Sequence, residues 1–181
     1  MQKQLPITTY GMGILREKTT PVKNVDDNLI ELISNMFYTM KNARGIGLAA
    51  PQVNVGLSLT VVDISDVENF ESYKPLTLIN PQIIDTHGNI EIEEGCLSIP
   101  EVRGIVSRPE QIYLKYYDLD MNEKNLEASS LLARVIQHEI DHLNGILFID
   151  YLDEESLKKH KSLLRKIQKR KIEVDYPLYT S

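Results

Sequence analysis

Two histidines separated by one helical turn frame the first chemistry open to this chain. They stand in His138-Glu139-Ile140-Asp141-His142, inside the apolar stretch from Leu131 to Phe148. On an α-helix, side chains four residues apart project from one face, so both imidazoles could hold a single metal ion. The Glu139 carboxylate, one residue on, could reach a metal-bound water rather than the metal. A hydrolase needs that arrangement when the metal acidifies water and a base takes its proton. A buried helix carrying two hydrogen-bonded histidines and an exposed Glu-Asp pair would write the same five residues. The run also lacks a third ligand. Cys96 is the only cysteine, and thiolate sulfur binds zinc and first-row metals strongly, although a lone cysteine is usually inert packing.

The elements that must position these groups can be read from periodicity. After Asp26-Asp27, Leu29, Leu32, Ile33, Met36, Phe37 and Met40 recur at three- and four-residue spacing, which predicts an amphipathic helix ending near Asn42 to Gly45. The uncharged run Gly45 to Gln52 reads as a tight turn, or as exposed backbone able to bind an extended peptide as an added strand. Strand patterns follow at Leu57 to Asp63, at Leu76 to Ile79 and Pro81 to Ile84 around a proline break, and at Ile90 to Glu93. Others follow at Val102 to Val106, Ile112 to Tyr117 and Leu126 to Ser129. His87-Gly88-Asn89 and Asp118 to Asn122 are turn signals. Short strands flanking one apolar helix predict an α+β fold in which antiparallel β-sheets wrap a central metal-binding helix.

The last predicted helix, Glu154 to Lys171, differs in kind. Leu157, Leu164 and Ile167 make a narrow stripe, and the other faces are covered by lysine and arginine. The segment carries a formal charge of +6, against −12 for the remaining residues. Either this is a solvated face or it docks on a polyanion. The whole chain, 181 residues at 42% hydrophobic and 25% charged, has the composition of one soluble domain, and the net charge of −6 argues against nucleic acid as a direct substrate. One cysteine excludes an internal disulfide. No apolar run approaches a membrane span and no leader pattern opens the chain, so a cytoplasmic protein with no membrane partner is expected.

Three separated blocks coincide with one family. Gly45-Ile46-Gly47-Leu48-Ala49-Ala50-Pro51-Gln52, Glu94-Gly95-Cys96-Leu97-Ser98 and Gln137-His138-Glu139-Ile140-Asp141-His142-Leu143-Asn144-Gly145 together resemble the signature blocks of bacterial peptide deformylases, in the same order and spacing. The Leu-Ser-Ile-Pro continuation after Cys96 and the basic C-terminal helix look most like the Gram-negative type. The resemblance runs from the first helix to about Tyr151 and, with the composition, implies a single catalytic domain over residues 1–181. In it, Cys96, His138 and His142 hold one divalent metal ion, natively Fe(II), with nickel, cobalt or zinc able to substitute.

It further implies removal of the formyl group from N-formylmethionyl nascent peptides. Glu139 would be the general base, and the Gln52 side-chain amide and Leu97 N–H would stabilise the oxyanion. Ile46, Gly47 and Gly95 would pair with the peptide backbone, while Ile46, Ile92, Leu131, Val135 and His138 would line a methionine pocket. Arg103 would flank later residues. Arg108 and Asp141 would help to fix Glu94, counted here with the substrate-binding residues, and the metal helix. The basic helix becomes a candidate for docking on the ribosome near the exit tunnel. Ser129-Ser130 depart from relatives, which often carry glycine there; neither is expected to touch a ligand. Two alternatives remain: a His-Glu-x-x-His metalloprotease, which would take a third ligand downstream, where only His160 stands, and a non-catalytic metal- or peptide-binding module.

Overall fold

The structure, a computed structural model, describes residues 2–180. Helix α1 (Asp27–Asn42) begins where Asp26 caps it, its side chain accepting from the Leu29 N–H at 2.9 Å. Seven strands follow: β1 (Gly47–Ala49), β2 (Leu59–Val62), β3 (Leu76–His87), β4 (Ile90–Cys96), β5 (Ile99–Arg108), β6 (Gln111–Tyr117) and β7 (Glu123–Ser129). Helices α2 (Ser130–Leu143) and α3 (Glu154–Gln168) complete the order, with short 3-10 turns at Ala50–Val53 and Phe148–Tyr151. The strands form an antiparallel five-stranded sheet in the order β1-β2-β3-β6-β7 and a separate β4-β5 hairpin. This is the α+β architecture that the patterns predict.

Helix α2 occupies the middle. Leu132, Ala133, Val135, Ile136 and Ile140 pack into one core with β2, β3, β6 and β7. A second core joins α1 to β1 and β2, and a third joins α3 to β5 and Phe148. Eleven of the fourteen α2 residues are buried, and five of these, Arg134, Gln137, His138, Glu139 and His142, are polar or ionisable. Burying such groups is costly unless each finds a partner, so the helix owes its place to specific contacts as well as to apolar packing.

Several boundaries differ from the sequence reading. Gly47–Ala49 is not a turn but a short edge strand on β2, and the turn proper is the 3-10 segment after it. The proline break is no break: β3 runs through Pro81, with a register shift between Ile79 and Gln82. Pro81 has no N–H to give the ladder, and the shift lies where it sits; Asn80, at φ 51°, grips the Val22 N–H and C=O with its side-chain amide. Helix α3 stops at Gln168, three residues early. Arg170 turns left-handed at φ 55° and the Lys171 N–H reaches back to the Lys166 carbonyl, a C-terminal motif that lacks its usual glycine.

Ser130 also has a left-handed backbone, at φ 54°, where the chain swings from β7 into α2. A side chain there costs energy that glycine does not. Ser130→Gly should stabilise the protein by up to about 1 kcal/mol. Thermal unfolding should show it as a rise of roughly 2–4 °C in Tm.

Candidate metal centre

Helix α2 turns His138 and His142 to one side, with ring centroids 5.0 Å apart. Facing them is the end of β4, where Cys96 precedes the two-residue tip, Leu97-Ser98, of the β4–β5 hairpin. Ligand atoms of Cys96, His138 and His142 all lie within 4.8 Å of one another, and the Cys96 Sγ and His142 Nε2 are 3.2 Å apart. Two donors on one tetrahedral ion stand about 3.5 Å apart given ordinary metal–sulfur and metal–nitrogen bond lengths. Burial holds His142 well below the usual imidazole pKa, keeping it in the neutral, ligating form. The donor set and its spacing fit a divalent metal.

Around the triad, each polar group has a defined aim. The Gln52 side chain is buried; its Oε1 accepts from the Ala49 N–H at 2.8 Å, so its amide points at the Cys96 Sγ, 3.5 Å away, and at the Ser98 Oγ. Glu139 is also buried, and its Oε2 has no hydrogen-bond partner. Burial, opposed by the His138 charge, raises its pKa to about 7. An unpartnered carboxylate oxygen beside three converging ligands is where a water would sit and lose a proton. Close packing makes room for it: a Cβ on Gly47 would collide with the Glu139 carboxylate and with Val135.

His138 is oriented from behind. Its Nδ1 meets the Glu94 Oε2 at 2.9 Å, which leaves Nε2 for the centre. Glu94 in turn takes Arg108 Nε at 2.6 Å and Arg134 Nη1 at 2.7 Å on Oε1, and Arg108 Nη2 at 3.1 Å on Oε2. Burial alone would raise the Glu94 pKa, but the bonds from His138 and Arg108 outweigh it and hold the carboxyl far below its usual range. Arg108 also pairs with Asp141 at 2.6 Å and lies over the Tyr151 ring. Arg134 further donates to the Val106 and Ile90 carbonyls, so one guanidinium ties α2 to both strands of the hairpin.

The centre opens into a cleft of about 710 Å³ between the edge of the five-stranded sheet and the hairpin. Ile46, Gly47, Gln52, Ile92, Glu94, Gly95, Cys96, Leu97, Arg103, Leu131, Val135, His138 and Glu139 all line it, and His142 lies beneath. Glu94 lines it differently from its expected role, because its carboxylate is wholly engaged with His138 and the arginines. The Arg103 guanidinium lies against Gly95, so closely that any Cβ there would overlap it. Sequence reasoning missed Arg134, although its place one turn before His138 on the same helix was a signal. It also missed Glu173 to Tyr176, which wall the cleft from the C-terminal segment.

A cysteine sulfur, two imidazoles and an unpartnered carboxylate under an open cleft define a metallohydrolase centre on an α+β scaffold. A family model described as polypeptide deformylase matches residues 4–158. A peptide deformylase of Chlorobium phaeovibrioides is 51% identical over 174 residues, covering 96% of this chain and 92% of its own. Among solved structures, a peptide deformylase from Legionella pneumophila superposes with a TM-score of 0.85 at 37% identity, covering 93% of this chain and 98% of its own. One from Thermus thermophilus gives 0.84 at 37%, covering 92% and 98%. The chain belongs to the polypeptide deformylase family.

Replacing Arg134 by Met should expose the dependence of the centre on its supports. Leaving Glu94 short of one cation costs about 3 kcal/mol or more, read in urea unfolding, and loosening His138 should weaken metal retention by about 10- to 100-fold against a chelator.

Proposed function

We propose that this protein hydrolyses the formyl group from the N-terminal formylmethionine of newly made polypeptides, giving formate and a free α-amine. The observation that carries the reading is the Cys96, His138 and His142 ligand set with the Glu139 oxygen left unpartnered beside it. Fe(II) is the metal we assign to it, with nickel, cobalt or zinc as substitutes; when bound, the cation supplies Lewis acidity toward water and toward the formyl oxygen.

Glu139 takes a proton from the attacking water and later gives it to the leaving nitrogen. Oxygen is added to the formyl carbon, and the bond from that carbon to nitrogen breaks. The Gln52 amide, aimed by its bond to the Ala49 N–H, and the Leu97 N–H donate to the oxyanion. The peptide runs as an added strand along the Ile46, Gly47 and Gly95 backbone, which reads main chain and tolerates varied side chains. Ile46, Ile92, Leu131, Val135 and the flank of His138 receive the methionine side chain, and Arg103 flanks the residues after it.

A metalloprotease of the His-Glu-x-x-His kind is less well supported, since the third ligand is the upstream Cys96 and not a downstream group. Cytoplasmic action by one catalytic domain suits a thiolate ligand, which a reducing compartment protects. No helix among the described residues is long and apolar enough to cross a membrane. We also assign the exposed cations of α3 to docking on ribosomal RNA, while its Leu164 and Ile167 belong to the core.

Anaerobically purified protein should release formate from formyl-Met-Ala-Ser, and absence of release with metal bound would end the reading. Glu139→Ala should keep its metal and lose about 10²- to 10⁴-fold in kcat. For the helix, changing Lys158, Lys159, Lys161 and Lys166 to Gln should weaken salt-sensitive ribosome cosedimentation. Unchanged binding would remove the docking role.

A further inference from the structure

The two-residue tip Leu97-Ser98 lies outside the strand ladder. It joins Cys96 to Ile99 across a hairpin whose register already shifts at Gly95, so ladder bonds end before it. Three bonds from outside hold it. The Gln52 amide donates to the Ser98 Oγ at 3.3 Å, the Tyr10 N–H to the Ser98 carbonyl at 2.8 Å, and the Tyr176 hydroxyl to the Leu97 carbonyl at 2.8 Å.

Tyr176 comes from the far end of the chain. After α3, the segment alternates, with Ile172, Val174, Tyr176 and Leu178 partly buried and Glu173 and Asp175 exposed. It is fastened just beyond Tyr176, where the Ile7 N–H donates to the Pro177 carbonyl at 2.8 Å and the Tyr179 N–H to the Ile7 carbonyl at 2.9 Å. The N-terminal segment that receives it is itself bound to the second donor, since the Thr8 N–H reaches the Gln52 carbonyl and the Thr8 hydroxyl the Pro51 carbonyl. The two termini therefore close on each other behind Gln52 and Leu97. The family match ends at residue 158, before this segment begins.

We infer that Tyr176 is a positioning residue for the reaction: its hydroxyl holds the Leu97–Ser98 peptide and so restricts rotation at the Leu97 Cα, which that peptide shares with the Cys96–Leu97 peptide carrying the Leu97 N–H. This rests on the deformylase reading. A donor that must already point at developing charge loses value when its backbone can swing, and the loss falls on turnover more than on binding. The phenol sits where this is possible, half-buried on the cleft wall.

The test compares wild type with Tyr176→Phe, both carrying metal as purified, on formyl-Met-Ala-Ser. Tyr176→Phe should lower kcat by about fivefold to tenfold, the size of one lost hydrogen bond, with KM within about twofold and metal per chain unchanged. A second variant ending at Lys171 should lower kcat at least as far; if it does not fold, Tyr176→Phe decides alone. A kcat within twofold of wild type, or a loss confined to KM, overturns the inference. No formate release by wild type would instead defeat the deformylase reading, so the two failures are distinct.

Discussion

The structure depends on one buried carboxylate. Glu94 sits at the meeting of two arginines and a histidine, and every lone-pair direction it offers is used. Remove the carboxylate and Arg134 loses its anion while Arg108 is left with Asp141 alone; remove the guanidinium groups and the carboxylate is left in the interior with His138 alone. Neither failure is local. Arg134 belongs to α2, Arg108 to β5 and Glu94 to β4, so the cluster fastens the metal helix to the hairpin that brings Cys96. An apolar contact of equal area would hold the elements together but would leave the rotation of the His138 ring undetermined. The charged cluster supplies that rotation.

Much of this was legible in the sequence. The amphipathic period of α1, the alternation of the strands and the apolar stretch of α2 each follow from one local rule, and these elements overlap their patterns although several boundaries move. The paired histidines were legible because a helix turns four residues into one face. Cys96, forty-two residues before His138, became a ligand only by resemblance, since no local pattern joins a strand end to a helix. Arg134 stayed hidden for the same reason: its partner Glu94 lies forty residues away, and an arginine in an apolar helix looks like an exposed one until the sheets close round it.

The backbone exceptions were illegible for another reason. Asn80, Ser130 and Arg170 all take left-handed conformations without being glycine. Each is held by its neighbours, as when Asn80 closes both ends of its side-chain amide on Val22, so the cause lies outside the local sequence. The run Ile172 to Leu178 alternates plainly, yet it pairs only through an isolated bridge to Ile7. Its structure is set by a segment at the opposite end of the chain.

The open edge of β1 has a cost as well as a use. An unpaired strand edge that accepts an extended peptide will also accept a strand from another copy, and stacked edges are how sheets grow between molecules. Here the edge is three residues long, and it ends in a helical turn whose Pro51 has no N–H to offer. It can hold one short stretch of main chain and no more. So short an edge offers the strand of another copy little to pair with.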